Sequence, residues 1–285
     1  MLPQPLPPHY SDEEAEHTSM TLQLKPGQRY DMPAAFGPSL APAVSQGFET
    51  FTTAITYTTT KDAIAQLLPH WYAPADQQRI TVSYIQMVNM EWMGGRDYNI
   101  VNIQANVVST TTPEPLQGPY PLAIWESDCA PIISGREYLG SPKLFAAIAE
   151  IDIFQPKFSF GCSEYGAPLL TASVSGMHPI SGTDLAQFNE AAREALTFGW
   201  KYIPGIDGAA DIDYPTAGVM SSSFTKGSRG QGTVSFAAPS PTEAPYSHRI
   251  VRALATIPML EHVDTVSLHS SNTRLYRNRT RRLDV

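Results

Sequence analysis

Two consecutive segments that alternate apolar and polar residues constrain the fold more than any other feature of this chain. Residues 79–92, RITVSYIQMVNMEW, alternate as a half-buried β-strand does, and residues 98–110, YNIVNIQANVVST, repeat the pattern after a GGRD turn. This arrangement predicts an antiparallel hairpin. Residues 48–59, FETFTTAITYTT, are rich in strand-favouring side chains and predict another strand. The chain is therefore expected to be built mainly from strands.

Further strands and a few helices are predicted along the rest of the chain. The strand signals lie in 120–138, in a hairpin over 157–178 and in a second hairpin over 218–237, whose GSRGQG stretch we place at the tip. Helices are expected in 59–72, 141–151 and 182–200, with N-caps at Thr60, Ser141 and either Thr183 or Asp184, and a helix, turn and strand are expected in 247–270. Together these elements predict an α+β fold in which a mostly antiparallel, closed or nearly closed β-barrel carries flanking helices.

The domain organisation predicted from composition is simple. Residues 1–32 begin with a stretch rich in proline and acid and are expected to form an N-terminal arm, whereas 33–285 are expected to form a single domain. The two cysteines, Cys129 and Cys162, suit a reducing compartment. The first residues lack the basic and apolar regions of a secretory signal. We therefore expect a cytoplasmic protein.

Charge and motif spacing exclude several classes of function. The formal net charge of −8 argues against a nucleic-acid partner. No window approaches ~18 consecutive apolar residues, so no membrane partner is expected either. The histidines show neither H-x-x-x-H nor H-E-x-x-H spacing, and no cofactor or metal is expected. A small-molecule ligand remains the expected partner.

Lys143 is the residue with the most specific chemical potential. It follows Ser141 and Pro142 at the expected start of a helix, and Leu144 and Phe145 follow it. An apolar surrounding and a nearby helix N-terminus both disfavour the ammonium form, so they favour a nucleophilic amine. Such an amine can condense with a ketone to an iminium, which withdraws electrons from a neighbouring bond. A solvated surface lysine is the alternative from spacing alone.

The sequence around Lys143 resembles the acetoacetate decarboxylase superfamily. GREYLGSPK, residues 135–143, matches its Gly-Arg-Glu and Gly-x-Pro-Lys, in which the lysine forms the Schiff base. WMGGRDYNIV, FGWKYIPGIDG and the segment 247–270 resemble other parts of the family pattern, from about residue 48 to 275. The resemblance implies a cone-like β-barrel, a homo-oligomer and a lyase that acts through a Schiff-base lysine.

Three positions depart from the pattern of the true decarboxylases. Leu144 replaces a second lysine, Ile100 replaces a glutamate, and the alignment places Thr50 where an arginine would hold the substrate carboxylate. The family resemblance therefore implies lysine-imine chemistry on an oxo acid or ketone other than acetoacetate itself. Aldol, dehydration, cyclisation or decarboxylation chemistry would all use the same iminium or enamine.

Several other side chains are candidates for the site. Arg136 and Glu137 could orient the substrate or the lysine, or form a structural ion pair. We expect the substrate to contact Tyr84, Met87, Trp92, Tyr98 and Ile100, although such residues on strands are more often simple core. Glu91 could replace the missing acid but is expected to face solvent. For His248 and His262, surface or capping roles are more plausible than acid–base roles.

Two alternatives to this function stay open at the level of sequence. The first is an authentic β-keto acid decarboxylase of the acetoacetate decarboxylase type. The second is a non-catalytic β-barrel that binds a hydrophobic small molecule, with the lysine as a relic. Release of carbon dioxide separates the first from other lyase chemistry, and a covalent adduct on Lys143 argues against the second.

Overall fold

The computed structural model describes residues 24–110 and 115–284. Its contacts divide the chain into a short N-terminal unit that ends at Ser39 and a body that begins at Leu40. The described part of the first unit contains one 3₁₀ turn, Ala34–Phe36, and a backbone hydrogen bond from Ser39 to Arg29. Most of the predicted arm over 1–32 lies outside the described residues, and the domain boundary at 33 stays a prediction.

The body is built around one eleven-stranded sheet. The strands are β1 Val44–Thr58, β2 Tyr72–Pro74, β3 Arg79–Met90, β4 Arg96–Ser109, β5 Gln117–Glu126, β6 Lys143–Phe145, β7 Lys157–Glu164, β8 Ala167–Pro179, β9 Ala195–Pro204, β10 Ala210–Phe236 and β11 His262–Arg282. Their order is β6-β5-β4-β3-β1-β11-β10-β8-β7, while β2 pairs with β4 and β9 with β10. All pairs are antiparallel except β5 with β6. A sheet-rich α+β fold, as predicted, is therefore present.

A closed barrel is not confirmed. The two ends of the main strand order, β6 and β7, share no strand ladder. Near these two strands an isolated bridge joins the chain, in which Ala147 and Ser163 exchange two backbone hydrogen bonds of 2.8 and 3.0 Å. We call this bridge the seam.

Four short α-helices occur in the described ranges, namely α1 Lys61–Ala65, α2 Cys129–Ser134, α3 Gly182–Ala191 and α4 His248–Leu254. Thr60 caps α1 as predicted, since its hydroxyl accepts from the Ala63 amide. The cap of α3 is Ser181, two residues before Thr183 and three before Asp184, and it forms a reciprocal capping box with Asp184. No helix in the described residues combines the length and the apolar character that a membrane crossing needs.

Three predicted elements are wrong, and two predicted helices are too long. The helix predicted over 59–72 ends at Ala65, and the helix predicted over 182–200 ends at Ala191, after which β9 begins at Ala195. The segment 120–138 is strand only as far as Glu126 and then forms α2 and the π-helical turn Gly135–Leu139. The second predicted hairpin is instead one continuous strand, β10. Its glycines do not form a tip: a Cβ on Gly232 would lie 2.7 Å from Thr265 and 2.8 Å from Ile55, so close strand packing requires glycine there. The third error, at Lys143, bears on the site.

The two faces of the sheet bury different sets of side chains. The larger cluster is centred on Trp125, Tyr84, Ile103 and Leu169. The smaller one contains Phe48, Met90, Met93, Tyr98, Ile100 and Ile124, with Ile85, Met87, Trp92, Ala130 and Leu275 packed against them. Because side chains alternate along a strand, Tyr98, Ile100 and Ile124 face the smaller cluster while their neighbours face the larger.

Candidate active site

Lys143 begins the edge strand β6 and does not begin a helix. The parallel pairing sets Lys143 opposite Ile124 and continues to Phe145 opposite Glu126. The Ile124 amide donates to the Pro142 carbonyl at 3.1 Å, and the Ala146 amide donates to the Glu126 carbonyl at 3.0 Å. The predicted helix over 141–151, its Ser141 N-cap and the helix-dipole effect on Lys143 are therefore wrong, because β5 supplies the backbone hydrogen bonds of this segment.

The ammonium group of Lys143 lies against a buried carboxyl group. Its Nζ is 2.7 Å from Oε1 of Glu126, and the two side chains are 11% and 0% exposed. Nζ also donates to the Pro131 carbonyl at 3.1 Å. The contact with Glu126 is an ion pair by distance. Lys143 is thus held inside the protein, with a titratable group beside it.

Burial controls the protonation of this carboxyl group. Burial raises the pKa of Glu126, and the neighbouring Lys143 opposes part of that rise. Asp128 adds a smaller rise in the pKa of Glu126. A carboxyl group whose neutral form is favoured in this way can accept and return a proton more readily than an exposed one.

A further buried polar side chain, Tyr98, is linked electrostatically to Glu126 and to Arg277. Tyr98 is 7% exposed, and burial, followed by the charge of Glu126, raises its pKa well above the ordinary value. Arg277 is 3% exposed and donates to Ser45 at 2.7 Å, to Ser134 at 3.2 Å and to the Pro42 carbonyl at 3.2 Å. The positive charge of Arg277 opposes part of this rise in the pKa of Tyr98, so the charges of both Glu126 and Arg277 influence Tyr98.

Lys143 also lines a pocket of about 390 Å³. The other lining residues are Ile132, Arg136, Leu144, Phe145, Glu164, Tyr165 and Tyr246. The pocket adjoins the seam, since Lys143 belongs to β6 and Glu164 to β7. A small molecule in it would contact the lysine side chain together with mostly apolar and aromatic surfaces, the usual composition of a ligand site.

Arg136 and Glu137 lie in the π-helical turn between α2 and β6. The exposed Arg136 donates from Nη1 to the Lys143 carbonyl at 3.0 Å, so it fixes the backbone of the lysine. Glu137 is partly exposed and is not among the residues that line the pocket. Catalytic roles for both residues remain predictions.

The five predicted substrate contacts separate into two groups. Tyr98 and Ile100 belong to the smaller cluster, and Met87 and Trp92 pack against it. Ile100 lies opposite Glu126 in the β4–β5 ladder. Tyr84 belongs to the larger cluster, on the opposite face of β3, where its hydroxyl donates to Asn99 at 3.1 Å. None of the five is among the residues lining the pocket of Lys143, and Trp92 lines a different pocket of about 330 Å³. Their contacts with substrate remain predictions.

The remaining candidates, Glu91, His248 and His262, are not among the residues that line the pocket of Lys143. Glu91 is exposed, as expected. His248 contacts the Ala244 carbonyl at 3.1 Å, and His262 contacts Thr265 at 2.7 Å. Within the part of the chain that the structure describes, no group of three or more His, Cys, Asp or Glu residues could hold a metal ion. Both cysteines are free.

Two carboxyl groups of the site escaped prediction from sequence. Glu126 ends the apolar run YPLAIW, and Glu164 ends a strand of alternating pattern, KFSFGCSE. The one local signal that could have identified Glu126 or Glu164 as a site residue is a charged residue at the end of a buried strand. Their proximity to Lys143 and to its pocket depends on strand pairings that the local sequence does not encode.

The fold and the site together define a class: a sheet-rich protein with a buried lysine–carboxyl pair beside a small-molecule pocket. Residues 31–271 match the family model described as Acetoacetate decarboxylase (ADC). The chain therefore belongs to the acetoacetate decarboxylase family, as its sequence motifs suggested.

Solved structures show the same fold at low sequence identity. Acetoacetate decarboxylase from Legionella pneumophila is 18% identical with a TM-score of 0.66, and the alignment covers 84% of this chain and 89% of that one. A structure titled Structural Studies of Acetoacetate Decarboxylase is 14% identical with a TM-score of 0.70, over 89% and 94%. The enduracididine biosynthesis enzyme MppR complexed with pyruvate is 15% identical with a TM-score of 0.64, over 90% and 97%. No curated protein matches the sequence.

Proposed function

We propose that this protein is a lyase that forms a Schiff base between Lys143 and an oxo acid or ketone other than acetoacetate. One observation carries the proposal: the Lys143 amine, 11% exposed, lies 2.7 Å from the buried carboxyl of Glu126 and lines a pocket of about 390 Å³. Family membership supports enzymatic activity of this kind. So does the MppR neighbour, which was solved both with pyruvate and with a condensation product of pyruvate and an aldehyde.

Glu126 supplies the proton transfers that imine formation requires. It accepts a proton from the Lys143 ammonium, and the free amine then adds to the carbonyl carbon. Glu126 returns the proton to the hydroxyl of the carbinolamine, which leaves as water. The net change converts an ammonium group and a carbonyl into a protonated imine and water, and the carboxylate again faces a cation.

The strand register explains how Glu126 could replace a family residue. The sequence places Ile100 where the decarboxylases carry a glutamate. In the β4–β5 ladder, Ile100 lies directly opposite Glu126. A carboxyl group lost from β4 is thus matched by one on the neighbouring strand, on the same face of the sheet. This placement supports Glu126 as the proton-transfer residue.

The absence of a second lysine and of the carboxylate-binding arginine favours chemistry other than acetoacetate decarboxylation. Leu144, at the position of the second lysine, lines the pocket and makes it more apolar. A larger or more apolar oxo substrate would suit such a wall. Aldol, dehydration or cyclisation steps through the enamine are the favoured outcomes, and a homo-oligomer in the cytoplasm remains our prediction.

Reductive trapping tests the proposal. The protein is incubated with borohydride and, separately, pyruvate, larger 2-oxo acids, acetoacetate and simple ketones, and the modified peptide is mapped by mass. We expect an adduct on Lys143 with at least one carbonyl compound and none in Lys143→Ala. Glu126→Gln, which keeps the size of the side chain, should slow trapping at least about tenfold, because general acid–base groups contribute ~10²–10⁴-fold.

Two outcomes would contradict the proposal. A folded wild-type protein that gives no adduct with any of these compounds favours the non-catalytic binding protein instead. Release of carbon dioxide from acetoacetate at a rate matching the formation of the Lys143 adduct would establish the authentic decarboxylase. Lys157→Ala, an exposed lysine at the start of β7, serves as the matched control and should trap like wild type.

A further inference from the structure

A second buried carboxyl group lies on the wall of the Lys143 pocket. Glu164, at the end of β7, is 5% exposed and lines the pocket. Its Oε1 accepts from the Tyr246 amide at 3.0 Å, whereas its Oε2 is buried without a hydrogen-bond partner in the described ranges. No salt bridge of the described residues includes Glu164. A buried carboxylate oxygen without a partner is unfavourable, so a ligand that supplied positive charge there would be stabilised.

Aromatic rings form the exposed rim of the same pocket. Phe145, Tyr165 and Tyr246 are 61%, 82% and 68% exposed. Exposed apolar groups clustered at a pocket mark a ligand or partner site more often than scattered ones do. The faces of such rings attract organic cations, and aromatic cages are the common site for quaternary ammonium groups.

Tyr165 occupies a position at which a tyrosine is unfavourable for the backbone. It and Gly166 form the β7–β8 turn, with φ values of +49° and +85°. Two consecutive positive φ values favour Asn, Asp or Gly at the first position. A tyrosine there costs stability without burying its ring, so the ring is better explained by a contact that the free protein does not make.

The charges of the pocket are arranged from one side to the other. Lys143 and Arg136 provide positive charge on the β6 side, where Arg136 donates to the Lys143 carbonyl. Glu164 provides negative charge on the β7 side. A carbonyl compound with a cationic group at its far end would place the carbonyl at Lys143 and the cation at Glu164. The reverse orientation would set like charges together.

We infer that the pocket selects carbonyl compounds that carry an organic cation, which Glu164 and the ring of Tyr165 bind. The inference rests on the proposed function for the role of the carbonyl end, while recognition of the cation does not require the imine. Glu164 is thus a specificity residue, and Lys143 remains the reacting group.

Two ketones of the same shape test this inference. One is 5-(trimethylammonio)pentan-2-one, and the other is 6,6-dimethylheptan-2-one, in which a tert-butyl group replaces the cation. Calorimetry measures their affinities, and borohydride trapping is measured in parallel. Wild type should bind the cationic ketone about tenfold more tightly, as expected for a cation near aromatic faces and a carboxylate. Glu164→Gln, whose amide oxygen can still accept from the Tyr246 amide, should reduce this preference to about threefold or less.

A second variant keeps the test decisive if Glu164→Gln fails to fold. Tyr165→Asn keeps a residue that suits the turn and removes the ring, so it should fold and also weaken the preference. Three results would overturn the inference. Wild type could bind the two ketones with equal affinity, it could bind neither of them, or folded Glu164→Gln could keep the wild-type preference. Lys143→Ala separates the two proposals: it should lose the adduct and keep the preference. A preference without any adduct in wild type would refute only the Schiff-base function.

Discussion

The Lys143–Glu126 pair makes a quantitative prediction about stability. Removing one partner of a buried ion pair costs ~3–5 kcal/mol, because the remaining charge is left buried and unpaired. Replacing both partners by apolar residues of similar size is often neutral or even stabilising. Since the two side chains are 11% and 0% exposed, solvent screening is small here. Lys143→Met and Glu126→Leu should therefore each destabilise strongly, whereas the double variant should recover at least half of the combined loss.

The loss in Lys143→Met should depend on pH with a definite sign. Burial raises the folded-state pKa of Glu126 above its ordinary value of 4.5. Protonation therefore favours the folded state: this stability is fully present below the unfolded pKa and is lost as pH rises through the folded pKa. Without Lys143, which opposes the rise, the folded pKa moves further up and the loss at high pH grows. Each additional pKa unit corresponds to ~1.4 kcal/mol at a pH above both values.

Urea unfolding at pH 5 and pH 8 provides the assay. The difference in unfolding free energy between Lys143→Met and the double variant isolates Glu126, because their other titrating groups are shared. We expect this difference to be larger at pH 8 than at pH 5 by at least ~1 kcal/mol. Additive losses in the double variant, or a difference that is equal at the two pH values, would refute the view of Glu126 as a buried group charged against Lys143.

Three further substitutions test the geometry of the site and of the fold. In Gly135→Ala the new Cβ would lie 2.4 Å from Cδ and Cε of Lys143 and 2.7 Å from its Nζ. We therefore expect the lysine side chain to be displaced and the rate of trapping to fall about tenfold or more. Gly118→Ala, in which the nearest contact of the new Cβ is 3.5 Å, is the control and should trap at the wild-type rate. Arg136→Ala removes the hydrogen bond to the Lys143 carbonyl and should slow trapping several-fold with a stability change of about 1 kcal/mol or less, as urea unfolding will show. Ser181→Ala removes the cap of α3 and should lower the unfolding free energy by ~0.5–2 kcal/mol with trapping unchanged; an unaltered midpoint would contradict the capping role.

Local pattern was sufficient for much of the sheet and insufficient for the site. The β3–β4 hairpin follows from alternation and a glycine turn, both of which are local. The segment after Pro142 has an equally convincing helical start, yet it pairs with β5, because an edge position offered backbone partners about twenty residues away in sequence. Lys143 was identified through its motif, whereas its partner Glu126 was not, since only the parallel β5–β6 pairing brings the two together.

The long strand β10 illustrates a second limit. From sequence, glycine-rich GSRGQG is predicted to form a turn, since glycine is common in turns. In the structure Gly232 instead allows Ile55 and Thr265 to approach the backbone closely. A single sequence does not distinguish a glycine that bends the chain from one that makes room for a neighbour, because the difference lies in residues far along the chain.

We predict that the seam allows the width of the pocket to change. Lys143 lies on β6 and Glu164 on β7, at the two ends of the main strand order. Near the pocket, the amides of Ala147 and Ser163 each donate to the carbonyl of the other residue. Breaking two hydrogen bonds costs far less free energy than breaking a full strand ladder. We therefore expect the pocket to accept ligands of different sizes without disturbing the core. Deuterium uptake at these two amides, compared with the ladder amides of β4, should be faster in the empty protein and slow on ligand binding; equal rates would show that the opening is rigid.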